Sequence, residues 1–226
     1  MKDKVYTYAM AESKTAVAVI VDVSRSRAHA DRAALQRDME AAFDRANAAV
    51  TPLQPLEPTV GDEFQAVYSD LPTALRATLV ARLELPDGVD CRFGLGLGEL
   101  ATIGSGVVGA VQDGSAWWSA REAIDEARRH EYSRLGFVRS WFKASTDAPA
   151  ATSEALVNAY LLSRDHILGT MTPRSRRLLR GQLSGATQGE LARREAITQS
   201  AVSQNLGRSG ANALLAGETL LAGGTP

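Results

Sequence analysis

Residues 16–27, AVAVIVDVSRSR, carry the pattern that decides the fold. Ala16 to Val21 is an unbroken run of small and β-branched apolar residues, the signature of a strand covered on both faces. Asp22 interrupts it, and the polar turn Ser24-Arg25-Ser26-Arg27 follows. Beyond the turn, Leu35, Met39, Ala42, Phe43 and Ala46 recur at helical spacing within residues 31–50. Pro52, Pro55 and Pro58 punctuate the return, after which Thr59-Val60 and Phe64–Tyr68 read as two strand arms around Gly61-Asp62-Glu63. Leu71–Leu85 is an amphipathic helix opened by Pro72, and Asp90–Leu97 a further strand. Its glycines at 94, 96 and 98 let a second backbone or a ligand approach. The order is βαββαβ. A glycine-rich loop over 104–114 leads to a helix from Ser115 to about His130, and Leu135–Phe142 adds an edge strand.

The second decisive stretch is residues 185–208, GATQGELARREAITQSAVSQNLGR. Thr187 caps a helix with Leu191 and Ala192 on its inward face. A short turn reaches Ile197, and Thr198 caps a second helix with Val202 and Leu206 one turn apart. The layout is that of a helix-turn-helix, with an ordinary pair of packed helices as the plainer reading. Thr187, Gln188, Gln199, Ser200, Ser203, Gln204 and Arg208 offer hydrogen-bonding groups suited to a major groove, and Arg193 and Arg194 lie where phosphates would pass. The chain of 226 residues, with 25 Lys and Arg against 26 Asp and Glu, is nearly neutral. The charge is uneven, however: seven basic and three acidic residues follow Met171, and the remainder holds 18 basic and 23 acidic.

These features give an α+β chain: a lead-in over 1–14, a ferredoxin-like (cyclase- or palm-like) domain over 15–142, a linker over 143–153, KASTDAPAATS, and an all-α helix-turn-helix domain over 154–226. Ser153 and Thr172-Pro173 start its first two helices, and leucines at 214, 215, 220 and 221 complete its small core or pair two subunits. One cysteine, Cys91, excludes an intrachain disulfide and a cysteine-based zinc site. His29, His130 and His166 lack ligand spacing. The apolar run at residue 16 is too short to span a bilayer, and the start of the chain has no signal-peptide pattern, so a cytoplasmic protein with no membrane partner is expected.

In this topology the first and third strands are central neighbours, so Asp22 and Asp62 can converge on a divalent ion, Mg²⁺ or Mn²⁺, sharing a nucleotide's phosphates. Ser24, Arg25 and Ser26, before a helix N-terminus, then face those phosphates. Each residue also has a plainer reading. Asp22 can cap the turn, Gly61-Asp62 can make a tight hairpin, and Glu63 can be a solvated turn residue. The glycines can serve close packing, and Trp117 and Trp118 a core or dimer interface. Arg121 can pair with a neighbouring acid.

The motifs VIVDVSRSR, VGDEFQAVY, RFGLGLGEL and DGSAWWSAREAIDEA resemble, in sequence and order, the SatD family, whose N-terminal domain is similar in turn to class III nucleotidyl cyclases and diguanylate cyclases. The resemblance spans most of residues 16–131. It implies metal aspartates at Asp22 and Asp62, a ligand-facing set of Ser24, Arg25, Ser26, Gly61, Glu63 and Arg121, and a transition-state arginine at Arg121. Trp117 stands where the family's partner asparagine is expected, which weighs against cyclisation, and a single glycine before Asp62-Glu63-Phe64 weighs against a diguanylate cyclase. The leading expectation is a DNA-binding transcriptional regulator, a homodimer on double-stranded DNA, whose cyclase-like domain senses a nucleotide or phosphorylated ligand. The alternatives are a metal-dependent nucleotidyl cyclase or nucleotidyltransferase, and a protein-interaction adaptor.

Overall fold

The structure, a computed structural model, describes residues 14–24, 31–59, 62–106, 109–148 and 152–225; of 102–106 and 109–111 it describes the backbone only. It is a mixed α+β fold in the order β1 (Lys14–Val23), α1 (Arg32–Ala49), β2 (Gln54–Pro58), β3 (Glu63–Tyr68), α2 (Leu71–Glu84), β4 (Cys91–Gly106), β5 (Gly109–Asp113), α3 (Ser115–Glu131) and β6 (Ser140–Ala144). Five helices follow: α4 (Glu154–Thr170), α5 (Pro173–Leu183), α6 (Gln188–Arg194), α7 (Gln199–Arg208) and α8 (Ala211–Leu221). The strands form one sheet in the order β2-β3-β1-β4-β5, antiparallel throughout, with β6 added parallel to β4.

β1 reads as a continuous apolar run because both its faces are covered. Val17, Val19, Val21 and Val23 join a core with Met39 and Phe43 of α1 and Ala74, Leu75 and Val80 of α2. Ala16, Ala18 and Ile20 point the other way, against Ala116, Ala120 and Ile124 of α3. The glycines of β4 belong to this second face. A Cβ on Gly96 would lie 2.2 Å from the Ala116 carbonyl oxygen and the Ala120 amide nitrogen, and one on Gly94 2.5 Å from the Ala120 carbonyl oxygen and the Ile124 amide nitrogen. The second backbone admitted by this glycine row is therefore α3 itself, laid alanine against glycine.

Three elements differ from the expectation, and one is the last strand, which is Ser140–Ala144 rather than Leu135–Phe142 and so runs into the first residues of the expected linker. The first hairpin arm is Gln54–Pro58, not Thr59-Val60. It is the edge strand, where prolines that cannot donate to a ladder are tolerated. The glycine-rich 104–114 stretch is largely hairpin, β4 continuing to Gly106 and pairing with β5. The helix starts follow local chemistry: Asp31, Asp70, Ser153, Thr172, Thr187 and Thr198 each accept a backbone amide hydrogen bond at an N-cap, and Thr187 with Glu190 forms a capping box.

The helices after residue 153 pack onto the α2 side of the sheet. Leu79 and Leu83 of α2 share a core with Leu168, Leu178, Leu179, Leu191, Val202, Leu206 and Leu214. Beneath it Asp165 of α4, wholly buried, accepts hydrogen bonds from Arg82 Nη1 at 3.0 Å and from the amides of Arg139 and Ser140 at 2.7 and 2.6 Å. α4 is thereby tied to both α2 and β6. Among the described residues no helix is long and apolar enough to cross a membrane.

Candidate functional site

The register of the central strands assembles a cluster of charges at one end of the sheet. Asp22 lies opposite Glu63 of β3 on one side and opposite Arg92 of β4 on the other. Residues directly opposite each other share a face. All three therefore project on the α3 face, with Ile20 and Gln65 the next pair inward. α3 completes the cluster from above: Arg121 and Arg128, seven residues apart, stand on one side of the helix, and Glu131 is buried at its last turn.

Both carboxylate oxygens of Asp22 are engaged. Oδ1 accepts from Arg92 Nε at 2.7 Å and Oδ2 from Arg128 Nη2 at 2.6 Å. Arg92 bridges onward to Glu131 at 2.7 Å, and Glu131 also accepts from the Ser24 hydroxyl. Glu63 takes a two-pronged contact from Arg121, at 2.6 and 2.8 Å, and a third hydrogen bond from the Gln65 amide at 2.9 Å. Burial alone would raise the Glu63 carboxyl. The hydrogen bonds from Arg121 and Gln65, with the Arg121 charge, outweigh it and hold the group below the usual carboxylate range. Arg121 is held above the ordinary guanidinium value by the same hydrogen bond. The exposures are unequal. The Arg92 side chain is 7% exposed, whereas Arg121 and Arg128 are 49% and 50% exposed.

This donor set does not fit a divalent ion. Asp22 presents each oxygen to a guanidinium, so a metal there would face two positive groups at close range, and no group of three metal-ligating side chains occurs among the described residues. Asp62 sits in the turn before β3, next to Glu63. Of the other residues expected to face a ligand, Ser24, Glu63 and Arg121 lie within this cluster, while Arg25, Ser26 and Gly61 lie outside the described residues. Arg92, Arg128 and Glu131 were missed by the sequence reading. Their signal was there: Arg92 keeps the two-residue alternation of Gly94, Gly96 and Gly98, and Arg128 stands two helical turns from Arg121.

Beside the cluster a groove of about 350 Å³ runs between α3 and the exposed part of the sheet, lined by Ile20, Gln54, Gln65, Gln112, Trp117, Trp118 and Arg121. Trp117 is partly buried against the α3-face core, and Trp118 is 63% exposed.

Thr187 caps α6, Gln188, Arg193 and Arg194 lie on it, and Gln199, Ser200, Ser203, Gln204 and Arg208 share the exposed face of α7. Four of the seven arginines that make up the positive charge expected to support them are engaged within the protein. Arg174 and Arg177 both pair with Glu195, at 3.6 and 2.7 Å, Arg180 pairs with Glu84 at 3.2 Å, and Arg176 donates to the Leu168 carbonyl.

No curated protein matches the chain. Among solved structures, a bacterial light-regulated adenylyl cyclase is similar over 54% of this chain and 74% of its own, at 13% identity and a TM-score of 0.44. A double mutant of the guanylyl cyclase domain of the RhoGC fusion protein from the aquatic fungus Blastocladiella emersonii is similar over 50% and 75%, at 16% identity and a TM-score of 0.38. The family model of the SatD family matches residues 16–220. These findings overturn the leading expectation of a DNA-binding transcriptional regulator with double-stranded DNA as its partner. The family match runs through sheet and helices as one unit, and four of the seven arginines that made the C-terminal part basic, Arg174, Arg176, Arg177 and Arg180, are occupied by internal carboxylates and a carbonyl. With 205 consecutive positions matched, from Ala16 in the first strand to Leu220 in the last helix, the chain belongs to the SatD family.

Proposed function

We propose that the chain binds a nucleoside triphosphate at the Asp22–Glu63 end of its sheet, as a protein of the nucleotidyl cyclase or nucleotidyltransferase kind. On this reading residues 15–142 are a ferredoxin-like, cyclase-like unit, residues 154–226 a helix-turn-helix unit docked on its α2 side, and 143–153 the connection between them. The observation that carries the reading is the gathering of three guanidinium groups, Arg92, Arg121 and Arg128, around that end, two of them half exposed. Guanidinium forks match phosphate oxygens in pairs. Ion pairs this exposed are worth about 0 to 1 kcal/mol, so Arg121 and Arg128 exchange a carboxylate for a phosphate at small cost. The buried Arg92 keeps its hold on Asp22 and Glu131 and preserves the end of the sheet while they do so.

Titration calorimetry with ATP and GTP tests it. Binding is expected, with Arg121→Ala and Arg128→Ala each weakening it about tenfold or more, since hydrogen bonds to charged groups are worth roughly 1.5 to 3 kcal/mol. Absence of triphosphate binding, or an Arg121→Ala/Arg128→Ala double variant that binds as tightly as the parent, rules the site out. A second reading, binding without turnover, is favoured by Trp117 at the position where the resemblance expects an asparagine, and by guanidinium groups on both oxygens of Asp22. Product analysis after incubation with ATP or GTP and Mn²⁺ separates the two. A cyclic nucleotide or pyrophosphate that disappears in Asp62→Ala establishes the enzyme; bound, unchanged triphosphate establishes the binding protein.

A further inference from the structure

The groove beside the cluster has properties that the charge cluster does not explain. It is nearly neutral: of its seven lining residues only Arg121 is charged, and that charge is paired with Glu63. Three of the others are glutamines, on β2, β3 and β5, and two are adjacent tryptophans at the start of α3. Two of its lining residues each carry a buried polar atom with no hydrogen-bond partner among the described residues, the Trp117 indole nitrogen and the Gln112 side-chain oxygen. One is a donor and the other an acceptor, and burying such groups unpaired is costly enough that a native structure normally supplies a partner. A volume of about 350 Å³ is within the range of small-ligand pockets.

We infer that this groove holds the purine base of the nucleotide, stacked on Trp118 and hydrogen-bonded by Trp117, Gln112 and Gln65. The inference rests on the triphosphate reading for its second half, the phosphates. A nucleobase edge carries donors and acceptors side by side, matching an indole N–H and amides of both senses, while its flat faces suit an exposed indole. An anionic peptide or lipid headgroup would find no unpaired cation here, and an aliphatic ligand would leave Trp117 and Gln112 unpaired.

The distance also fits. Ile20 to Asp22 on β1, and Gln65 to Glu63 on β3, are each one two-residue step along a strand, about 7 Å. That step places a base in the groove and the first phosphates at Arg121 and Arg128. Gln65, whose amide already donates to Glu63, connects the two halves.

The test is tryptophan fluorescence of the full chain titrated with adenosine, guanosine, uridine, inorganic tripolyphosphate and ATP. Purine nucleosides alone are expected to quench the emission. Trp118→Ala, at an exposed position that leaves folding undisturbed, should weaken purine nucleoside and ATP binding by at least about fivefold, the lower end of base stacking on an aromatic side chain. Gln65→Leu, which removes hydrogen bonding but keeps the stacking surface, should weaken both as well. If ATP and tripolyphosphate bind and depend on Arg121 and Arg128, but nucleosides give no quench and Trp118→Ala binds ATP normally, the groove is not a base site although the triphosphate site stands. If purine nucleosides bind and tripolyphosphate does not, the groove stands and the triphosphate site falls. Uridine binding as tightly as adenosine and guanosine overturns the purine assignment. A dimer that dissociates in Trp118→Ala, without nucleoside quenching, overturns the proposal in favour of a second copy covering the groove.

Discussion

The placement of α3 on the glycine row of β4 sets the position of every α3 residue in the site, and Gly96→Ala tests it directly. The added methyl would start 2.2 Å from the Ala116 carbonyl oxygen and 2.2 Å from the Ala120 amide nitrogen, both backbone atoms of a helix interior. Ordinary carbon contacts lie at about 3.5 Å or more, so α3 must lift by roughly 1.3 Å or β4 must bend away from it. No flexible side chain stands in the way to yield instead. Overpacking a core usually costs about 1 to 3 kcal/mol, and a clash against backbone on both sides belongs at the upper end, about 3 kcal/mol or more out of a total stability of order 5 to 15. Denaturant unfolding followed by circular dichroism should show a large fall in midpoint. Tryptophan emission of the folded state should shift as Trp117 and Trp118 move with the helix. Gly169→Ala is the control: within α4 and with nothing within 4 Å of the new methyl, it should leave stability unchanged or raise it by up to about 1 kcal/mol. If Gly96→Ala stays within about 0.5 kcal/mol of the parent, the range of neutral surface changes, α3 does not lie on that strand as described.

Other perturbations address other layers of the molecule. Asp165→Ala leaves Arg82 with Asp90 alone and strips the side-chain partner from the amides of Arg139 and Ser140 in a fully buried site, and a loss of about 3 to 5 kcal/mol is expected in the same unfolding assay; a loss below 1 kcal/mol would show that α4 is not tied to the sheet through this carboxylate. Because Glu63 is held below the ordinary carboxylate range when folded, its ion pair adds stability above about pH 4.5 that disappears as pH falls through the lower folded value. Glu63→Gln should therefore flatten that part of the stability–pH curve, and an unaltered acid limb would contradict the pairing. Burial pushes the Cys91 thiol far up, so at neutral pH the native protein should not react with a thiol reagent until it unfolds; prompt native-state labelling would mean that the β1–β4 junction opens.

Much of the fold was legible because its determinants are local or periodic. The run at 16–23 is apolar at consecutive positions because two layers cover it, and the caps at Asp31, Asp70, Ser153, Thr172, Thr187 and Thr198 act on amides three residues away. The prolines misplaced the first hairpin arm, since the allowance that an edge strand makes for proline depends on knowing which strand is the edge. In the candidate site, Asp22, Glu63 and Arg121 were identifiable from their motifs, but not what they touch. The seven arginines after Met171 looked like a basic surface, yet Glu195 and Glu84 take up three of them. Such pairing across 18 or 96 residues leaves no mark in composition.

What the sequence alone determined is most of the helices and central strands and their order, the two faces of β1 and the residue types available at the end of the sheet, because strand alternation, helical spacing and caps are written within a few neighbouring positions. What only the tertiary structure decided is who meets whom. It decided that the β4 glycines receive a helix and that Arg92 and Arg128 close on Asp22. It also set Trp117, Gln112 and Gln65 around one groove. The reason is physical: those contacts join residues tens of positions apart, and their energies depend on register, burial and distance, which exist only once the sheet has closed.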